Sequence, residues 1–171
     1  MIKNLLLTVA LLIPVVIAGC LASGTLVVVF DIAEFISLPV SIVYQPIDLT
    51  LNSDYEDHKD KIKSIDTITL TGFIVNRGSS DAVSEIWISD ELYTDTASVR
   101  QNASLVFISP SIPVNDTLFL HWADGKANMR NQDILADQIK DGGQFNVYGI
   151  ADGSFNLQYD LSVIITLTAG L

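Results

Sequence analysis

Leu157-Gln158-Tyr159-Asp160-Leu161-Ser162-Val163-Ile164-Ile165-Thr166-Leu167-Thr168 is the stretch whose reading decides the fold. Leu157, Tyr159, Leu161, Val163, Ile165 and Leu167 alternate with Gln158, Asp160, Ser162, Ile164, Thr166 and Thr168. Successive side chains of an extended strand point to opposite faces, so this pattern gives one apolar and one mostly polar face. That is what a half-buried antiparallel strand requires. Asp152-Gly153-Ser154 just upstream is turn chemistry, so 144–151 and 157–168 read as a hairpin.

The same period recurs upstream. Across 65–76, Ile68, Leu70 and Ile74 share a face opposite Thr67, Thr69 and Thr71. The run ends in the turn Asn76-Arg77-Gly78-Ser79-Ser80-Asp81, and 82–89 reads as the next strand. Further short strands fit 25–31, 40–51, 104–109 and 117–122, with Pro46 marking an edge or a bulge. Two short helices interrupt them. Ser53-Asp54-Tyr55-Glu56 is a capping box opening a surface helix over 54–63, with acids in its first turn and lysines in its last. The second covers about 132–141, capped by Asn131, anchored by Leu135 and Ile139, and closed by Gly142-Gly143.

Seven or eight short strands with two small helices predict an all-β, mainly antiparallel chain, a β-sandwich of the immunoglobulin-like kind. The segment Val75-Asn76-Arg77-Gly78-Ser79-Ser80-Asp81 resembles the strand-to-turn step of bacterial immunoglobulin-like and fibronectin-like modules. The C-terminal third, a short helix, Gly142-Gly143 and a long strand pair, resembles late-embryogenesis-abundant domains, although the Asn-Pro-Asn element of that family is missing. Both resemblances imply a sandwich and no particular activity.

The N-terminus has a different grammar. Met1-Ile2-Lys3-Asn4 is short and positive, 5–16 is apolar apart from Thr8, and Ile17-Ala18-Gly19-Cys20 follows. A charged start, an apolar core and a small-residue exit describe a secretory signal. The last four residues resemble the lipobox of bacterial lipoproteins. That resemblance implies cleavage between Gly19 and Cys20 and a diacylglycerol, with palmitate or similar acyl chains, joined to the Cys20 sulfur, with no cofactor besides this covalent lipid. Cys20 is the only cysteine, so no internal disulfide forms. The expected layout is a signal peptide over 1–19, a lipidated tether over 20–24 and a single domain over 25–171. Leu21, where aspartate would favour inner-membrane retention, points to the outer membrane or cell surface, facing away from the cytoplasm. A second reading keeps the uncharged run 5–30 as an uncleaved membrane anchor. Pro14, Gly19 and Ser23-Gly24 interrupt such a helix, and Thr25-Leu26-Val27-Val28-Val29-Phe30 is strand-like.

After cleavage, 8 basic and 20 acidic residues would remain, a net charge of −12. Such a surface repels phosphate backbones, which excludes nucleic acid as a partner. No catalytic constellation is visible. His58 lacks a metal-ligand partner four residues on, His121 has none nearby, and no Gly-x-Ser-x-Gly elbow occurs. Asp124-Gly125-Lys126-Ala127-Asn128 starts like a calcium loop, but Lys126 stands where a ligand is needed and position six, Met129, is not glycine. No metal site is expected. The candidate binding residue is Trp87, on the strand face of Val83, Glu85 and Ser89. It is either an exposed platform for a sugar ring or a partner, or a cover over one end of the core. Trp122 shares a face with Leu118 and Leu120 and reads as core. The sequence therefore predicts a lipid-anchored, non-enzymatic envelope domain with a structural or protein-interaction role, its partners the membrane and an envelope protein. A ligand-binding lipoprotein, either an apolar carrier or a carbohydrate binder, is the alternative.

Overall fold

The computed structural model describes residues 23–32 and 40–170. Eight strands form: β1 (Ser23–Ile32), β2 (Val40–Asp48), β3 (Ile62–Asn76), β4 (Ser84–Ser89), β5 (Ser104–Ile108), β6 (Thr117–Leu120), β7 (Gln144–Phe155) and β8 (Leu157–Gly170). They build two four-stranded antiparallel sheets in the orders β1-β8-β3-β6 and β2-β7-β4-β5. The expected β-sandwich is thus the fold observed. Its strand order is that of a jelly roll rather than the immunoglobulin arrangement.

In this order only β4 and β5 are neighbours in both sequence and space; every other connection changes sheet. The hairpin expected between 144–151 and 157–168 is therefore not formed. β7 pairs with β2 and β4, whereas β8 lies in the opposite sheet between β1 and β3. Asp152-Gly153-Ser154, expected as the turn, lies within β7 where its register against β2 slips, and the chain crosses to the other sheet only after Phe155.

The alternation of the central strand β8 becomes burial. Leu157, Tyr159, Leu161, Val163, Ile165 and Leu167 are all buried, as are Ile68, Leu70 and Ile74 on β3. Facing them from the other sheet are Ile47, Ile86, Ile88, Val106, Phe145 and Val147. Each such side chain contributes roughly 1.5–3 kcal/mol by leaving water. At one end of β3, the buried Asn76 organises the turn that its residue type predicts. Its amide donates to the Ser80 and Ile112 carbonyls, and its oxygen accepts from the Gly78 N–H.

Helices depart most from expectation. Four short ones occur among the described residues: α1 (Ser53–Glu56), α2 (Thr96–Asn102), α3 (Trp122–Asn128) and α4 (Gln132–Lys140). The helix expected over 54–63 is one turn long, capped by the Asn52 side chain accepting from the Tyr55 N–H, not by Ser53. From that turn Tyr55 points inward: it is 1% exposed, and its phenol donates to the Ile139 carbonyl. The chain continues through a 3-10 turn, Lys59–Lys61, straight into β3. Helix α4 matches expectation in extent and in its buried pair Leu135 and Ile139. Asn131, however, adopts φ 41° and sends its amide to the Leu105 carbonyl instead of capping.

Helix α3 replaces an expected strand end. β6 pairs with β3 only across 72–75, and where it stops α3 lies against the freed stretch of β3. The Thr69 hydroxyl donates to the Trp122 carbonyl at 3.0 Å, and Gly125 packs on the Leu70 carbonyl. Trp122, expected in the core, opens this helix and is 43% exposed, because the strand that would have turned it inward ends at Leu120.

Candidate functional site

The N-terminal residues singled out by the sequence, Gly19 and Cys20, lie outside the described residues. β1 begins at Ser23, two residues earlier than the expected 25–31, and Ser23 pairs with Gly170. Ser23 and Gly24 therefore belong to the sheet rather than to the tether. Among the described residues, no helix is long and apolar enough to cross a membrane.

Trp87 sits on the outer face of the second sheet, opposite Tyr148 on β7 and Leu105 on β5. That face is not open. The β4–β5 connection, carrying α2, folds back over it and buries Val99, Tyr148 and Ile150 in a satellite cluster with Trp87, Tyr93, Ala103 and Ile42. Asp95 starts α2 by accepting from the Ser98 N–H. The half-buried indole donates to Glu85 Oε2 at 2.9 Å, and the same oxygen receives Arg100 Nε from α2 at 3.1 Å. Tyr148 completes the clamp: its hydroxyl donates to the Glu91 carbonyl and accepts from the Tyr93 N–H, and burial pushes its pKa above the ordinary tyrosine value. Trp87 thus fastens a helix to a sheet, and its one polar donor is already engaged.

The outer face of the first sheet is more open. It exposes Val27 at 55%, Val29 at 45% and Phe119 at 62%, with Phe119 against Phe73 at a ring separation of 6.2 Å. These residues were legible as outward members of alternating strands, yet sequence reading passed over them in favour of the tryptophans.

The remaining candidates stay apart. Nδ1 of His58 is 2.9 Å from the Asp54 carbonyl of its own turn, and His121 is exposed at the start of α3, where Asp124 accepts from its N–H. Among the described residues no group of three or more His, Cys, Asp or Glu gathers as metal ligands. Asp124-Gly125-Lys126-Ala127-Asn128 is helical, not a loop. Carboxylates serve structure: side-chain bonds from Ser64 and Thr168 hold the Asp66 carboxyl below its ordinary range, and a Thr50 bond does the same for Asp48.

Two clefts of about 380 and 370 Å3 lie side by side at the β2 rim, sharing Pro46, Ile47 and Asp48. Asp90, Gln144 and Asn146 border the first; Asp31, Gln45 and Leu51 border the second. Their apolar floor is closed, since Ile47 and Leu49 are 7% and 2% exposed. Neither offers the apolar chamber that a carrier needs.

No protein-family model matches the chain, and no curated protein matches it in sequence. Among solved structures it is similar to a chain of Desmodium yellow mottle tymovirus, with a TM-score of 0.37 and 10% identity over 87% of this chain and 89% of that one. It is also similar to one of turnip yellow mosaic virus, with a TM-score of 0.38 and 10% identity over 88% and 83%. Likeness at this level carries no functional content.

Proposed function

We propose that the chain is a lipid-anchored domain of the cell envelope with a non-enzymatic, structural or protein-interaction role. The observation that carries this reading is the spacing between the lipobox-like Ile17-Ala18-Gly19-Cys20 and the first strand at Ser23. Three residue steps span at most about 11 Å, so a lipid on Cys20 would hold the end of the sandwich at the headgroup layer. The net charge of −12 that cleavage would leave suits a domain held beside an anionic surface without lying flat upon it. The interaction half of the reading draws on the uncovered apolar residues of the first sheet, in contrast to the second sheet, whose outer face α2 covers around Trp87. The jelly-roll order itself assigns no activity.

Intact mass of the membrane-extracted protein beside a Cys20→Ser variant tests the anchor. A mass of residues 20–171 plus acyl chains, lost in the variant, is the expected result. A full-length, unmodified mass overturns it in favour of an uncleaved N-terminal anchor. A carbohydrate-binding reading draws on Phe119, Phe73 and Trp122 rather than on Trp87, whose indole is committed to Glu85. Titration with oligosaccharides, following tryptophan fluorescence, would detect it through Trp122.

A further inference from the structure

Each sheet has two edges, and an edge strand left open is a template for another chain. Three of the four edges here carry an identifiable safeguard. On β2 the exposed Pro46 removes a backbone donor from the row. On β5 the row is occupied by the following chain: Arg130 N–H donates to the Val106 carbonyl, Asn131 Nδ2 to the Leu105 carbonyl, and Phe107 bridges Met129. β6 is four residues long, and α3 follows it directly. Among the described residues β1 has none of these. It is ten residues long, contains no proline, no bulge in its register and no charge from Ser23 to Phe30.

One hydrogen bond reveals which groups β1 turns outward. Gln45 Nε2 donates to the Asp31 carbonyl at 3.2 Å, from the side away from β8. In a strand the N–H and C=O of one residue point the same way, and the direction reverses at each step. Val29, Val27 and Thr25 therefore also aim their N–H and C=O groups off the edge, while the even-numbered residues bond β8. Among the described residues, no hydrogen bond reaches the main chain of Thr25, Val27 or Val29 from that side.

We propose that the occupant of this edge is a second copy of the chain, paired antiparallel through β1 about a two-fold axis at Val27. The outward row is symmetric about that residue: Val27 meets Val27 of the second copy, and Thr25 meets its Val29. Each of the three pairs exchanges two main-chain bonds, about six in all. The side chains brought together on the outer face are β-branched, which favours cross-strand packing. The next pair outward would match Ser23 with Asp31, whose carbonyl Gln45 already holds, so the ladder closes after three pairs. Charge sets where two copies can meet. At −11 they repel over most of their surface, whereas β1 from Ser23 to Phe30 carries no charge, so pairing there sets no carboxylates opposite one another. The result is one continuous eight-stranded sheet. This names a partner for the interaction role proposed above, and it does not depend on the lipid.

The test uses the full chain in detergent, with its protein mass followed by sedimentation or light scattering through a dilution series. Wild type is expected to reach the mass of two chains. Val27→Lys, at a side chain already exposed, and Val27→Pro, which removes an outward N–H but no bond to β8, are expected to give single chains. Leu92→Lys, at an equally exposed apolar residue elsewhere, is expected to leave the pair intact. Hydrogen exchange supplies the second readout: the amides of Thr25, Val27 and Val29 slow in the pair and speed up in Val27→Lys. A wild type of single-chain mass throughout overturns the proposal, as does a pair that survives Val27→Lys. Intact mass on the same samples reports the state of Cys20 separately. A dimer without acyl chains keeps the pairing and removes the anchor, and an acylated monomer does the reverse.

Discussion

Gly125 lies so close to Leu70 that a Cβ added at position 125 would come within 1.8 Å of the Leu70 carbonyl oxygen. No backbone contact of that kind tolerates a methyl group, so α3 rests on β3 through the bare face of a glycine. The obstacle is main chain, not the end of a flexible side chain, and cannot swing aside.

Gly125→Ala is therefore expected to destabilise the protein by about 1–3 kcal/mol, the usual cost of forcing extra volume into a packed contact. Thermal unfolding checks it. Ala127→Ser, on the exposed side of the same helix, is the control and should leave the midpoint nearly unchanged.

Tyr159 and Ser84 share a hydrogen bond of 2.7 Å between hydroxyls that are 1% and 0% exposed, linking the two sheets across the core. Burial pushes the Tyr159 pKa far above its ordinary value, so the phenol stays neutral at any working pH. Tyr159→Phe leaves the Ser84 hydroxyl short of a partner in a dry site, at a cost of about 1–3 kcal/mol. Adding Ser84→Ala removes the stranded group, and the double variant is expected to recover part of the loss in denaturant unfolding.

Tyr148→Phe removes one acceptor and one donor that tie the β4–β5 connection to the sheet. The expected effect is local: faster hydrogen exchange across 90–103 with the rest of the sandwich still protected. Uniform loss of protection would mean that the satellite cluster and the main core unfold as one unit.

Asp66 accepts bonds from Ser64 at 2.6 Å and Thr168 at 2.8 Å, and these hold its carboxyl below the ordinary 3.8. A carboxylate with a lowered folded-state pKa adds stability above its unfolded value and loses that contribution as the pH falls through the folded value. Wild type should therefore weaken in acid, below about pH 4. Asp66→Asn should be less stable near neutrality, with a shallower acid decline, so that the two melting curves converge at low pH. Asp48 and Asp95, shifted in the same direction by Thr50 and Ser98, contribute to the decline that remains.

Strand positions were legible because alternation is a local property: the apolar members of 157–168 are the buried ones, and eight strands stand close to where the pattern put them. Sheet membership was not legible. The Asp152-Gly153-Ser154 signal would read the same whether the chain turned there or ran on as strand, and the crossing to the other sheet is settled by partners more than a hundred residues away, such as Val28 opposite Ile165. The helix around Tyr55 and the place of Trp122 departed from expectation for a similar reason. The burial of Tyr55 depends on Ile139, 84 residues away, and the exposure of Trp122 on a strand that ends early. Gly125 looked like part of an incomplete calcium loop because nothing in its neighbourhood announces Leu70. For Trp87, alternation gave the correct face, but the cover over that face comes from Val99 and Arg100 in a helix that sequence reading missed.

The register of β1 has a mechanical consequence. Ser23 is both the first described residue of the chain and the first residue of a strand held along its whole length by β8. A pull directed along β1 stretches all of its bonds to β8 together, in shear, whereas a sideways pull opens them one pair at a time from Ser23 and Gly170. Resistance to force on that end of the chain therefore depends on direction: strong along the strand and weak across it.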